Sequence, residues 1–339
     1  MLRVALDLAH LRQTEAGTAR VARSLSAALA DRDDVELIAI GAGPLARRGS
    51  AGQRALALWQ DLVWYPALGR RNARRRRADV YHLVLPRGPL RPGRPPTTVT
   101  VHDLLALQAP ETMSRWNRTY SRRTLAPVLR AADRVVASTE HAAGELERRL
   151  GIDRGRVRVV PLGVDRRFAG PASSSPVAGA YVLFVGTPEP RKNLARLADA
   201  TRSVGLPLVV AGAGGWGDGR PADPSIRWLG AVSDDDLVGL YAGAACLAIP
   251  SLYEGFGLPA LEAMAAGCPV VAGRAGALPE VCGDAAVLVD PLQPGDIAAG
   301  IARAVAEADD LRLRGRANAA RFSWDATAAA LVEVWRELS

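Results

Sequence analysis

Lysine is all but missing from this 339-residue sequence: of its 43 basic residues, only Lys192 is a lysine. Cysteine is scarce too. Cys246, Cys268 and Cys282 are odd in number and lack metal-ligand spacing. That argues against a disulfide scaffold or a thiolate metal site and predicts free thiols in a reducing cytoplasm. No apolar run approaches the ~18–20 residues needed to span a bilayer as a helix. The opening MLRVALDLAH carries Asp7 inside its apolar stretch and reads as a first β-strand rather than a signal peptide. Aromatic residues make up only 5%. None interleaves the densest basic run, RRNARRRR from Arg70 to Arg77, so that run lacks the stacking pattern of a single-strand nucleic-acid binder.

What is present describes an α/β protein. The length suits two domains of ~150–170 residues. Apolar β-branched runs alternate with helical stretches throughout, from Val4–Leu8 to Ala286–Val289. This pattern predicts parallel sheets covered on both faces. After RVVPLGVD comes a Gly/Pro/Ser segment, GPASSSPVAG, and then a new strand, YVLFVG. The expected organisation is two doubly wound, Rossmann-like domains, residues 1–169 and 176–322, facing each other across a cleft. A last amphipathic helix, residues 323–339, is expected to pack back on the first domain. Charge is unevenly divided: residues 1–169 hold 30 basic and 16 acidic residues (net +14), and residues 170–339 hold 13 and 19 (net −6). A basic first half fits a solvated arginine-rich face, or an anionic partner such as nucleic acid, a phosphorylated acceptor or a membrane surface.

The richest chemistry lies in residues 249–272, IPSLYEGFGLPALEAMAAGCPVVA. A buried strand ends in a turn where Gly255 and Gly257 permit close backbone approach, and Pro259 stands where a helix begins. A helix N-terminus placed at a strand end offers unpaired amides and a positive dipole to an anion. Glu254 lies in the turn and Glu262 on the first helical turns. Repelled by a phosphate, both suit sugar hydroxyls, although Glu262 could equally complement the helix dipole. The segment VGTPEPRKNL places Arg191 and the single Lys192 at another strand end, where cations are disfavoured unless they face an anion.

PSLYEGFGLPALEAMAAGCPVVA resembles the donor-binding signature of glycosyltransferase family 4, enzymes of the two-Rossmann-domain GT-B fold. The resemblance implies a retaining hexosyltransferase that uses a nucleoside diphosphate sugar as co-substrate, with no metal or other cofactor. Glu254 would meet the sugar and Glu262 the ribose, while Phe256, Gly257 and Leu258 offer amides to the diphosphate. Arg191 and Lys192 would neutralise the leaving diphosphate. Many members have arginine directly after the strand's Gly186, where this chain has Thr187. His102, at the end of TTVTVHDL, resembles the family's histidine near the reacting centre, with Asp103 beside it to orient it or contact acceptor. Gly17, Thr18 and Arg20 resemble a glycine loop that approaches donor phosphates or acceptor.

Two motifs mislead. GAGGWG, Gly212–Gly217, fits a dinucleotide fingerprint, but DGRPADPSIRW follows instead of a helix. It resembles the family's glycine loop bordering the nucleotide, through Gly212 and Gly214. SDDD, Ser233–Asp236, looks like a metal-binding D-x-D, yet reads as a helix cap followed by first-turn acids.

The form GTPEPRKN is similar to that of bacterial mannosyltransferases using GDP-mannose, with UDP- or TDP-sugars as alternatives. The acceptor is open among a glycan, a lipid-linked or a small-molecule hydroxyl. The expected location is the cytoplasm, with peripheral contact to an anionic membrane left open. A sugar-nucleotide epimerase or phosphorylase on the same fold remains an alternative, and so does a basic nucleic-acid-binding protein.

Overall fold

A computed structural model describes all residues except 14–16, 44–50, 109–114, 171–173, 213 and 215–218. The β-branched runs form two six-stranded sheets in which neighbouring strands pair parallel. The first contains β1 (Leu2–Asp7), β2 (Val35–Ile40), β3 (Val80–Leu83), β4 (Thr97–Val101), β5 (Arg134–Ala137) and β6 (Val157–Val159), in the order β2-β1-β3-β4-β5-β6. The second contains β7 (Val182–Val185), β8 (Leu208–Ala211), β9 (Arg227–Gly230), β10 (Cys246–Ile249), β11 (Val270–Gly273) and β12 (Val287–Val289), in the order β12-β11-β10-β7-β8-β9. β3, β4, β8, β10 and β11 are buried at every position, which is why these strands read as unbroken apolar runs rather than alternating ones.

The strand orders locate the sites. In an open parallel sheet, the chain leaves in opposite directions at one point, and the crevice at the strands' carboxyl ends there receives ligand. The order reverses between β1 and β3 in the first sheet, and between β7 and β10 in the second. The segments leaving these strands, Leu8–His10 and Val84–Arg87 in one and Gly186–Lys192 and Pro250–Glu254 in the other, are therefore topologically favoured.

The chain divides into one unit of Met1–Gly163 with Trp324–Ser339 and a second of Val164–Ser323. The boundary falls earlier than residue 169. Val164 donates its amide to the Phe322 carbonyl (3.2 Å), and buried Phe168 meets Tyr241 edge-on at 5.8 Å, so this segment packs with the second unit. Part of the expected linker is also docked: Val177 is buried, and the Ser175 hydroxyl bonds that of Tyr181 at 2.8 Å. Residues 171–173 lie outside the described residues.

The helix Trp324–Arg336 belongs to the first unit. Its Ala328, Leu331, Val332 and Trp335 share a core with Val4, Leu6, Leu25 and Leu29. The Trp335 indole donates to Thr98 Oγ1 at 3.1 Å. The helix Pro294–Ala306 is followed by a second, Ala308–Ala319. Among the described residues, no helix is long and apolar enough to cross a membrane.

Candidate active site

In the second unit, β7 is followed by Gly186, whose amide donates to the Ala211 carbonyl at 2.9 Å. Gly212 passes so close that a Cβ on it would sit 2.0 Å from the Gly186 oxygen. Only glycine lets these two loops lie together. Gly214 follows on the same loop and is exposed; Ala213 and residues 215–217 of GAGGWG lie outside the described residues. Half-buried Thr187 leads into Glu189 and a single 3-10 turn, Pro190–Lys192.

That turn carries the cations. The Lys192 ammonium is buried and donates to Glu254 Oε1 at 2.5 Å. Arg191 donates to Glu189 (2.8 Å), to the Tyr253 carbonyl (2.9 Å) and to Glu254 Oε2 (3.1 Å). The Ser251 hydroxyl donates to Glu254 Oε1 at 2.7 Å. Burial alone would raise the Glu254 pKa. The charges of Lys192 and Arg191, with the hydrogen bonds from Lys192 and Ser251, outweigh burial and hold it at about 2. Glu254 is thus a fixed carboxylate at any working pH.

Asn193 sets the geometry of this turn. Its backbone adopts φ 61°, and its side-chain amide donates to the carbonyls of Pro250 (3.0 Å) and Pro291 (2.6 Å). The Leu252 amide donates to the Arg191 carbonyl at 2.8 Å. The loops after β7 and β10 are therefore stitched together, and the Lys192–Glu254 pair follows from that stitching.

The turn after Glu254 ends at Gly257, whose φ of 100° an L-residue rarely adopts. It starts the helix Leu258–Ala265, with Pro259 in the first turn and no side chain capping the amino end. The amide end is thereby left for another acceptor. Phe256 is buried edge-on against Phe322 at 5.9 Å and anchors the turn. Buried Glu262 accepts a hydrogen bond from the Tyr241 hydroxyl at 2.9 Å. Ser233 caps the helix Asp234–Gly243 by accepting the Asp236 amide at 3.1 Å.

In the first unit, His102 follows β4 and is half-buried, with both ring nitrogens shielded from solvent. Among the described residues, neither ring nitrogen has a hydrogen-bond partner. Burial lowers its pKa, opposed by Asp103 and by the nearby Val84 backbone. Ser138 donates its hydroxyl to the His102 carbonyl at 3.3 Å, and Asp103 accepts the Leu105 amide at 3.1 Å. A cavity of about 210 Å³ is lined by Thr18, Arg87, His102, Asp103, Tyr120 and Ser121. His10, with its pKa lowered to about 4 mainly by burial, feels the charges of His102 and Arg87.

Arg87 pairs with buried Asp61, donates to Asn117 at 3.2 Å and lies 5.3 Å over the Tyr120 ring. Asp61 also accepts the Trp116 indole N–H at 2.8 Å. Gly17 opens the helix Gly17–Ala30 in an exposed position, and among the described residues no atom lies within 4 Å of where its Cβ would be. Half-buried Arg20 lies one turn on.

The structure thus brings Arg191, Lys192 and Glu254 into one network. It also supplies partners that motif reading passed over: Glu189, Asn193, Ser251 and Tyr241 in the second unit, and His10, Asp61, Arg87 and Tyr120 in the first. Glu189 had a visible signal, an acid two residues from the cations; Tyr241, 21 residues before Glu262, had none.

Two parallel sheets of this topology in one chain, each with polar residues gathered at the reversal of strand order, define the GT-B class. Solved structures of that shape include sucrose-phosphate synthase from Thermosynechococcus elongatus (TM-score 0.73, 19% identity, covering 100% of this chain and 99% of that one). HepE from Anabaena in complex with UDP and glucose is another (TM-score 0.72, 18% identity, 100% of both chains). Residues 166–322 match the model of glycosyl transferases group 1, and residues 16–168 that of Glycosyltransferase Family 4. The chain belongs to this family of glycosyltransferases.

Among curated relatives, the O-antigen chain mannosyltransferase B of Escherichia coli is 33% identical over 67% of this chain and 66% of its own. A D-inositol 3-phosphate glycosyltransferase of Catenulispora acidiphila is 36% identical over 61% of this chain and 57% of its own. The matched region spans less than two thirds of either relative.

Proposed function

We propose that the protein is a retaining, metal-independent hexosyltransferase that transfers a sugar from a nucleoside diphosphate sugar to an acceptor hydroxyl. The observation that carries this reading is the Lys192–Glu254–Arg191 network at the switch point of the second sheet. The uncapped amino end of the helix Leu258–Ala265 supports it. The diphosphate is assigned to Arg191, Lys192, the amides of Phe256, Gly257 and Leu258, and the glycine loops at Gly186–Thr187 and Gly212–Gly214. Glu262, oriented by Tyr241, takes the ribose hydroxyls, and Glu254 the sugar.

As the C1–O bond to the β-phosphate breaks, its electron pair stays with the nucleoside diphosphate. Fixed cations placed in advance stabilise that charge, the role a metal plays in other transferases. Glu254, ionised throughout, faces the positive charge growing on the sugar. The acceptor oxygen bonds C1 on the face the diphosphate left, and its proton passes to a phosphate oxygen. In the first unit, the cavity beside His102 and Asp103, with Thr18 and Arg20 on the neighbouring helix, is assigned to the acceptor and the reacting carbon. Arg87, paired with Asp61, lines the same cavity.

Mannose from GDP-mannose is the first choice of donor, supported by the mannosyltransferase relative; a UDP-sugar is second, as in the HepE complex. The three cysteines are buried thiols, with Cys268 and Cys282 pushed up to about 12 by burial, which suits a reducing cytoplasm. The test is a donor screen following nucleotide release, repeated with Glu254→Ala and Lys192→Ala. Turnover of one donor class that both substitutions abolish is expected; wild-type turnover in both variants would remove the site assignment.

A further inference from the structure

The segment from Ala51 to Arg75 is helical throughout, with a π-helical middle, Gln60–Leu68. Tyr65 and Ala73 reach the core, but over Leu58–Val63 the polarity is inverted. Leu58, Trp59, Leu62 and Val63 are exposed at 42%, 40%, 61% and 38%, while Gln60 and Asp61 between them are buried. Inside, Gln60 donates to the Ala9 carbonyl at 2.8 Å, and Asp61 holds Arg87 at the wall of the His102 cavity. Helices in water normally turn their apolar stripe to the core. Here positions 58, 59, 62 and 63 recur at helical spacing on the outer face, and that face continues through exposed Ala67 to Arg71, Arg74 and Arg75.

A basic loop extends the surface. Arg70 donates to the Arg91 carbonyl at 2.8 Å, bringing alongside the exposed segment that carries Leu90, Arg91 and Arg94. Residues 51–94 hold ten arginines against two acids, Asp61 and Asp79, and Asp61 is already spent on Arg87.

We infer that this outer face docks on an anionic lipid bilayer. Aliphatic side chains and a tryptophan on one stripe enter the interfacial region, and arginines at the same level meet lipid phosphates. The surface suits the other occupants poorly. A second copy would set one arginine field against another, and a nucleic acid would find one aromatic face, Trp59, among the aliphatic Leu58, Leu62 and Val63. The docking stands apart from the proposed reaction, because it rests on exposure and charge alone. If both hold, one helix meets the bilayer outside and shapes the acceptor cavity inside, which favours an acceptor carried on a lipid.

The experiment uses the full chain with phosphatidylcholine vesicles, with and without phosphatidylglycerol, read by cosedimentation and by tryptophan fluorescence. The wild type should bind only the anionic vesicles, with a blue-shifted emission that Trp59→Ser reduces. Arg74→Gln with Arg75→Gln should weaken binding about thirtyfold, at about 1 kcal/mol per charge near the surface. Leu62→Asp should abolish binding while the melting temperature and any donor turnover stay as in wild type. Wild-type protein that ignores anionic vesicles, or variants that bind like wild type, would overturn the inference. So would a dimer in sedimentation velocity that Leu62→Asp dissolves, or RNA binding with the same arginine dependence in place of vesicle binding.

Discussion

Glu254→Gln keeps the shape of the side chain and removes its charge, leaving the Lys192 ammonium buried without the carboxylate 2.5 Å away. The carboxyl titrates at about 2 in the fold against an ordinary 4.5, which corresponds to roughly 3 kcal/mol of folding stability at neutral pH. Because the folded value is depressed, that stabilisation is complete above about pH 4.5 and disappears as the pH falls through about 2. Breaking a buried ion pair from one side costs ~3–5 kcal/mol, so Glu254→Gln should cost about 3 kcal/mol. Lys192→Met should cost less, since Arg191 still reaches Glu254. The double substitution removes both charges, and its loss should fall short of the summed single losses by ~2 kcal/mol. Urea denaturation of the full chain at pH 7 and at stepped acid pH measures all of this, with nucleotide release in parallel. The double variant should regain stability and no activity, and should lack the acid-dependent loss seen in wild type. Single losses that add to within ~0.5 kcal/mol, or equal acid slopes in wild type and Glu254→Gln, would refute the reasoning.

Tyr241→Phe removes the hydroxyl bonded to Glu262 at 2.9 Å. A hydrogen bond to a charged group contributes ~1.5–3 kcal/mol, so the donor KM should rise about tenfold or more with kcat changed less; an unchanged KM would detach Glu262 from donor binding. Gly212→Ala would place a methyl 2.0 Å from the Gly186 oxygen, and loops that must part to accept it should lower stability by ~1–3 kcal/mol and weaken the donor further. A wild-type melting curve and KM would show that the loops yield freely.

Periodicity made most of the sheet strands legible, since a strand buried on both faces is written as an apolar, β-branched run; β9, with the sequence RWLG, is only half-buried and carries no β-branched residue. The motif around Glu254 was legible because a strand, a glycine turn and a helix start sit within a dozen residues. Partners brought by topology were not. Tyr241 reaches Glu262 across elements, and Asn193 matters through a left-handed backbone and two distant carbonyls that no local pattern announces. The helical segment from Ala51 to Arg75 escaped for the opposite reason. Leu58, Trp59, Leu62 and Val63 point outward while Gln60 and Asp61 lie inside beside buried Tyr65, so the usual rule for a buried face fails over that stretch.

The core of the first unit is not complete in the first half of the chain. Ala328, Leu331, Val332 and Trp335 fill the layer against Val4, Leu25 and Leu29, yet they emerge from the ribosome after all of Val164–Ser323. Domains made in sequence usually finish from the amino end; here the second unit can close while the first still lacks its last helix. A nascent chain therefore carries an open apolar groove beside β1 while all of Val164–Ser323 is being made. Substitutions at Leu331 or Trp335 accordingly act first on the yield of folded protein in the cell, before any effect on the rate of a molecule that has already folded.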